Sequence, residues 1–146
     1  MTHSFLLDAG YWTLQGHWLE RDLSPLPVQG RILISWRDDW FTMVTKLVFP
    51  QQDRADISCQ YRGHVDSEAR LYTFVLVHSL LGRVEGEGWI GPESIVQRYW
   101  VLGDAQRRNG VETLYCLNPT TYRISNATMM GHHLVNTMEA TLSRHS

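Results

Sequence analysis

Arg98 is the residue whose neighbours in the sequence most directly suggest contact with a ligand. It lies in "VQRYWVL", where strand alternation places it on one face with Val96, Trp100 and Leu102. Burying an isolated charge on such an apolar face is very unfavourable. Its guanidinium must therefore pair with an internal carboxylate, extend into water or contact an anion. The last alternative predicts that Arg98 binds a ligand and that Trp100 forms part of the pocket wall.

Arg123, Ser125 and Glu139 form a second candidate group near the end of the chain. Arg123 and Ser125 share one strand face, so together they would make a polar spot at which arginine grips a carboxylate with two hydrogen bonds. If Glu139 faces the same interior, it would meet a cationic N–H group, and the apolar opposite face would be left for a homodimer interface. The other alternative buries Leu134 and Met138 and leaves Arg123 and Glu139 in water. One choice of face decides both strands.

Aromatic and acidic residues alternate in "WRDDWF" at 36–41. The pair of aspartates is typical of a tight turn between two strands. The functional alternative places Asp39 beside Trp36 and Trp40 at the mouth of a pocket, where its carboxylate would accept hydrogen bonds from ligand N–H groups.

Two adjacent histidines, His132 and His133, follow Gly131. Neighbouring strand residues point to opposite faces, so the pair cannot ligate one ion from a regular strand. We expect a turn here, and no metal site is predicted, because the other histidines lack any metal-binding spacing. No motif for a nucleophile elbow or a phosphate loop is present either.

Short alternating runs separated by Gly, Pro, Asn and Asp predict the elements that position these side chains. We expect ten strands and a short N-terminal helix around residues 3–9; the strands lie near 11–21, 31–38, 40–49, 55–63, 69–79, 82–90, 94–102, 111–117, 121–129 and 133–144. Short turns, including 38–39, 91–93, 108–110 and 118–120, imply antiparallel neighbours. The fold class is therefore all-β, a single up-and-down antiparallel barrel of 8–10 strands over residues 1–146, with a β-sandwich as the alternative. Such a barrel holds side chains or one small ligand.

Composition agrees with one globular domain of 146 residues, of which 43% are hydrophobic and 19% charged. The net charge of −2 argues against nucleic acid or an anionic membrane as a partner. No stretch approaches a membrane span, and no signal peptide is evident, so a cytoplasmic location is expected.

The arrangement of "GYWTLQGHW" in the first strand with Arg144 in the last resembles the calycin barrels, such as the lipocalins and fatty-acid-binding proteins. In that group an arginine packs over a tryptophan at one end of the barrel, a cation–π contact that Arg144 would make here with Trp12 or Trp18.

Three later segments resemble the S-type phycobiliprotein lyases, which are calycin barrels that deliver a bilin to an acceptor protein. These segments are "VQRYWVL", "YRIS" and "NTMEATLSR". The chain departs from the family pattern at Gln97, where the family has Glu, and at Thr121, where it has Arg. The resemblance implies a bilin ligand, whose carboxylates Arg98 and Arg123 would anchor and whose pyrrole nitrogens Glu139 or Asp39 would hold.

The leading hypothesis is therefore a barrel that binds an extended, carboxylate-bearing apolar ligand, as a bilin chaperone or a lyase-like protein. No catalytic residue is identified and no cofactor is required, so any lyase action would consist of positioning the ligand. Two alternatives remain. One is a haem-binding barrel of nitrobindin type with His132 or His133 as the proximal ligand, and the other is an assembly module with a filled interior.

Overall fold

The chain folds into ten antiparallel strands in a computed structural model that describes residues 3–66 and 68–145. The strands are β1 (Gly10–Glu20), β2 (Leu26–Arg37), β3 (Trp40–Val48), β4 (Ile57–Asp66), β5 (Leu71–His78), β6 (Gly82–Ile90), β7 (Ser94–Val101), β8 (Arg108–Asn118), β9 (Thr121–Met130) and β10 (His133–His145). No helix of the described residues is long and apolar enough to cross a bilayer.

Each strand pairs with its neighbours in sequence, and β1 pairs with β10 to close the sheet into a single barrel. Closure leaves no strand edge exposed, which is how ten short strands satisfy their backbone hydrogen bonds. The predicted all-β, up-and-down barrel is confirmed, and the sandwich alternative is wrong.

Aromatic side chains lie across glycines of paired strands on the inner surface of the barrel. Tyr72 lies over Gly88 on the paired strand, and Tyr99 lies over Gly110 in the same way. A Cβ at either glycine would overlap the ring. The glycines therefore fix where these two tyrosines sit in the barrel interior.

One end of the barrel is closed by the N-terminal segment. Phe5 and Leu6 are buried there, and the Phe5 ring packs edge-on against Trp12. His3 Nε2 donates to the carbonyl of Gly91, so in the neutral ring Nδ1 accepts from the hydroxyl of Tyr122 at 2.7 Å. This segment forms a turn, with Leu6 at a φ of 70°, and the predicted helix at residues 3–9 is wrong. The packing of Phe5 against residues distant in the sequence, rather than local helix capping, determines the conformation of this segment.

Arg144 closes the same end from outside. Its guanidinium lies 6.0 Å from the centre of the Trp12 ring and donates to the carbonyl of Ala9 at 3.0 Å. Trp12 and Arg144 are register partners on β1 and β10. The predicted tryptophan–arginine contact is confirmed, and Trp12 rather than Trp18 makes it.

The opposite end is formed by the connections β1–β2, β3–β4, β5–β6, β7–β8 and β9–β10. The predicted turn at 108–110 is wrong, because these residues begin β8 and the turn is at 102–107. The ion pair between Arg108 and Asp104, 2.8 Å from Nε to Oδ2, fastens that turn. The N-terminal segment covers the first end, so we call the opposite one the open end; the core lies between the two ends and surrounds a cavity.

Candidate functional site

A cavity of about 80 Å³ lies inside the barrel towards the open end. Its walls are apolar on the side of β2 to β5 and polar on the side of β7 to β9. The lining includes Leu14, Trp18, Ile32, Met43, Leu47, Ile57, Cys59, Tyr61, Leu76, His78, Tyr99, Glu112, Asn126, Thr128 and Met138. The volume would hold about five water molecules. An apolar ring entering from the open end would therefore meet polar groups on one side.

The polar wall is a chain of hydrogen-bonded side chains that runs across neighbouring strands. Tyr72 donates to Gln97 Oε1 at 2.7 Å, and Gln97 Nε2 donates to Glu112 Oε1 at 3.4 Å. Asn126 Nδ2 donates to the other carboxylate oxygen of Glu112 at 3.3 Å. The carboxylate of Glu112 therefore stands at the centre of the wall, held by two amides at long distances.

Burial raises the pKa of Glu112 to about 7, and the hydrogen bond from Asn126 opposes this shift. No ion pair of the described residues includes Glu112, so its charge has no cationic partner in the wall. Asn126 Oδ1 is also buried, and it has no hydrogen-bond partner among the described residues. Buried polar groups are nearly always paired, so this wall has unused capacity for a ligand.

His78 stands at the rim of the cavity. Its Nδ1 accepts hydrogen bonds from the backbone N–H groups of Leu80 and Leu81, at 3.1 and 3.2 Å. Burial first, and then the charge of Arg108, lower the pKa of His78 to about 4. The neutral ring therefore carries its proton on Nε2, and it donates a hydrogen bond rather than offering a lone pair to a metal.

Cationic side chains lie at the open end outside the cavity. Arg54 pairs with Glu20 at 2.9 Å and lies 5.1 Å from the centre of the Phe49 ring. Trp18, which lines the cavity, donates to the same Glu20 at 2.8 Å. Arg54 and Arg108 therefore lie around the mouth, each in an ion pair with a carboxylate, that of Glu20 and that of Asp104 respectively.

The structure places the predicted arginine and glutamate ligands on the outer surface of the barrel. The side chain of Arg98 is 61% exposed, pairs with Glu87 at 3.8 Å and lies 5.3 Å from the centre of the Trp100 ring. The internal neighbour is Gln97. The expected pocket contact of Arg98 and Trp100 in the lumen is wrong, because alternation along β7 turns both outward.

Arg123, Ser125 and Glu139 are exposed as well. Arg123 donates to Thr141 at 2.7 Å, and Ser125 and Glu139 are register partners on the same outer face. The choice of face for residues 121–144 is thus decided, and the lumen alternative is wrong for all three. Burying Met138, Ala140 and Leu142 outweighs burying one carboxylate.

The residues of "WRDDWF" also lie away from the cavity. Asp39 is exposed in the two-residue turn between β2 and β3, as the turn interpretation predicts. Trp36 donates to the carbonyl of Leu6 at 2.8 Å and so packs at the closed end. Trp40 is 46% exposed. The structure brings none of the eight predicted ligand residues into the open-end cavity.

His132 and His133 lie where β9 turns into β10, with Gly131 at a φ of 61°. Both histidines are exposed, and the turn belongs to the open end. The predicted turn is confirmed. Among the residues that the structure describes, no group of three His, Cys, Asp or Glu side chains gathers in a metal-binding arrangement.

Glu112 was missed by sequence reasoning, although its signal is of the same kind as that of Arg98. In "GVETLYC" it alternates with Leu114 and Cys116, both of which are buried. An acid on an otherwise apolar strand face is a candidate for an interior site. The positions of Tyr72 on β5 and Tyr99 on β7 could not be predicted in this way. They depend on a glycine in the paired strand, and the sequence of one strand does not show which residues it pairs with.

Comparison with known proteins supports the fold. No protein-family model and no curated protein matches the chain. The solved structure of Rv2717c from M. tuberculosis is similar, with a TM-score of 0.73 and 13% identity over 94% of this chain and 92% of that one. The S-type phycobiliprotein lyase CPES from Guillardia theta is similar with a TM-score of 0.66 and 13% identity, over 95% of this chain and 89% of that one. The calycin-like fold predicted from the sequence is confirmed.

Proposed function

We propose that the barrel binds an apolar ligand that carries N–H donors, of the open-chain tetrapyrrole (bilin) class, through its open end. The observation that carries this proposal is Glu112, a carboxylate in the cavity wall with two weak amide partners and no ion pair to any described residue. Pyrrole N–H groups, more so when the bilin is protonated, would supply the donors that this carboxylate lacks.

The size of the cavity limits how the ligand enters. A volume of about 80 Å³ accepts one five-membered ring, whereas a whole tetrapyrrole needs several times more. One pyrrole ring would therefore enter between Trp18 and Tyr99, and the rest of the ligand would lie across the mouth. Its carboxylates would compete with Glu20 for Arg54 and with Asp104 for Arg108, the two arginines at that end.

The similarity to a solved phycobiliprotein lyase supports a tetrapyrrole over other apolar ligands. In this chain the residues would hold and protect the ligand, and Glu112 would set its protonation. A ligand held partly outside the barrel stays accessible to an acceptor protein. This geometry suits a chaperone that takes up a bilin and passes it on.

A second candidate, haem binding, is supported by the position of His132 and His133. Both are exposed at the same open end as the cavity. One of them would ligate iron from the β9–β10 turn, and the macrocycle would cover the mouth. His78 does not suit this role, because its Nδ1 already accepts two backbone hydrogen bonds.

Titration of the purified protein with biliverdin and, separately, with haemin tests both candidates by absorption spectroscopy. We expect a red-shifted biliverdin band in the wild type that weakens in Glu112→Gln. The matched variant Glu139→Gln changes an exposed carboxylate on the outer face and should bind normally.

A Soret band that disappears in His132→Ala or His133→Ala, without a biliverdin response, would replace the bilin proposal with the haem candidate. The absence of a spectral change with either ligand would overturn both.

A further inference from the structure

The outer face of β3 to β7 carries an unusual concentration of exposed apolar side chains. Val44, Val75, Val77 and Leu102 are each 44–60% exposed, and they lie together on neighbouring strands. Exposed apolar patches of this kind mark interaction surfaces in soluble proteins. We call this surface the β5 face, since Val75 and Val77 lie on its central strand.

We propose that the β5 face is a homodimer interface in which two copies of this chain pack face to face about a two-fold axis along β5. The contact is self-complementary because charges of opposite sign flank the central strand. Arg62 on β4 and Glu85 on β6 are both register partners of Val75. No ion pair among the described residues includes either of them.

A two-fold rotation about an axis along β5 exchanges the two sides of the face. Arg62 of one copy then lies opposite Glu85 of the other, and the same pairing recurs on the second side. Isologous interfaces require such self-complementarity. An axis across the strands would instead oppose Arg62 to Arg62, so the charges select the axis along β5.

Register partners form rows across β3 to β7, and the rotation exchanges the two sides of every row. One row places His64 and Glu87 on either side of Thr73, so a histidine meets a carboxylate across the interface. One strand further out, the row ends in Trp40 and Arg98, so an indole meets a guanidinium.

In the third row Val44 and Leu102 occupy the outer positions, Gln60 and Arg83 the inner ones, and Val77 lies on the axis. The rotation brings Val44 against Leu102 and Val77 against its own copy. Val75 and Val77 thus meet their own copies on the axis, the charged pairs lie directly beside it, and Val44 meets Leu102 at the outer positions.

The size of the face predicts a weak dimer. Five strands at a spacing of about 4.8 Å and three rows of side chains give a footprint of roughly 500 Å² per copy. The total of about 1,000 Å² is at the lower limit for a specific interface. We therefore expect a concentration-dependent equilibrium that weakens as salt is added, because two Arg62–Glu85 charge pairs contribute to the contact.

Sedimentation equilibrium over a concentration series tests this interface. We expect a monomer–dimer equilibrium for the wild type and a loss of dimer in Arg62→Glu, which opposes two carboxylates. The double variant Arg62→Glu/Glu85→Arg restores opposite charges and should regain the dimer. Val135→Asp, an exposed valine on β10 outside the face, is the control for Val75→Asp, and the latter should be monomeric.

Circular dichroism of each variant checks that the barrel is folded. A wild type that remains monomeric at the highest concentration would overturn the proposal. A dimer that survives Arg62→Glu, or that the double variant fails to restore, would place the interface elsewhere. Neither result bears on ligand binding, which is measured separately at the open end.

Discussion

The amide of Asn126 on β9 donates to the carboxylate of Glu112 on β8 across 3.3 Å, inside the barrel. The oxygen of the same amide, Oδ1, has no hydrogen-bond partner among the residues that the structure describes. The Glu112 carboxylate thus accepts two long hydrogen bonds, and Asn126 Oδ1 lies beside it as a second acceptor in need of a donor. Both atoms lie in a wall that faces a cavity open at one end, and a ligand rich in N–H groups would satisfy them together.

The stability of the ligand-free protein should fall as the pH rises through neutrality because of Glu112. Its pKa is raised from 4.5 to about 7 in the folded state. The folded protein therefore binds this proton more tightly than the unfolded chain does. The loss of stability begins near pH 4.5 and is complete above pH 7, where it amounts to about 3 kcal/mol.

Glu112→Gln removes this titration, so it should raise the free energy of unfolding at pH 8.5 by about 2–3 kcal/mol and leave it nearly unchanged at pH 4.5. Urea denaturation at the two pH values measures the difference. Equal effects at both pH values would show that the carboxylate is not destabilised by burial.

The barrel could be predicted from the sequence because alternation and turn residues repeat along the whole chain. The contact of Arg144 with Trp12 could be predicted as well, from the resemblance to calycins. The site could not, because face assignment depends on a single residue of register. Gln97 and Arg98 are adjacent, and strand alternation alone does not say which of them faces inward. The outcome depends on total apolar burial around the barrel, which no single strand reveals.

Removal of the Arg144 guanidinium should loosen the closed end. Arg144→Ala loses the contact with the Trp12 ring and the hydrogen bond to Ala9. We expect the free energy of unfolding to fall by about 1–2 kcal/mol. Arg123→Ala, which removes an exposed arginine bonded to Thr141, is the control and should cost less than about 0.5 kcal/mol. Equal losses in the two variants would contradict a specific role for Arg144.

Filling the cavity should abolish ligand binding without unfolding the barrel. Thr45 faces inward at the cavity, and Thr45→Trp would occupy the space that a pyrrole ring needs. Thr137→Trp adds the same volume on the outer face. Biliverdin binding should be lost in the first variant and retained in the second, as measured by quenching of tryptophan fluorescence. Binding that persists in Thr45→Trp would place the ligand outside the cavity.

Neither thiol should react with a disulfide reagent in the folded protein at pH 8. Both cysteines are buried, and burial raises the pKa of Cys59 to about 12, so the reactive thiolate is nearly absent. Two thiols per chain should appear after unfolding in guanidinium chloride. Rapid labelling of Cys59 in the native state would mean that its side of the cavity opens to solvent.

The most direct measurement is the affinity for biliverdin of the wild type, Glu112→Gln and Glu139→Gln, followed by the shift of the absorption band. If Glu112 holds the pyrrole nitrogens, its conversion to glutamine should weaken binding by about tenfold or more, since a hydrogen bond to a charged group contributes about 1.5–3 kcal/mol. Glu139→Gln should bind as the wild type does. Equal affinities for all three proteins would contradict the assignment of the binding site to the interior of the barrel at Glu112.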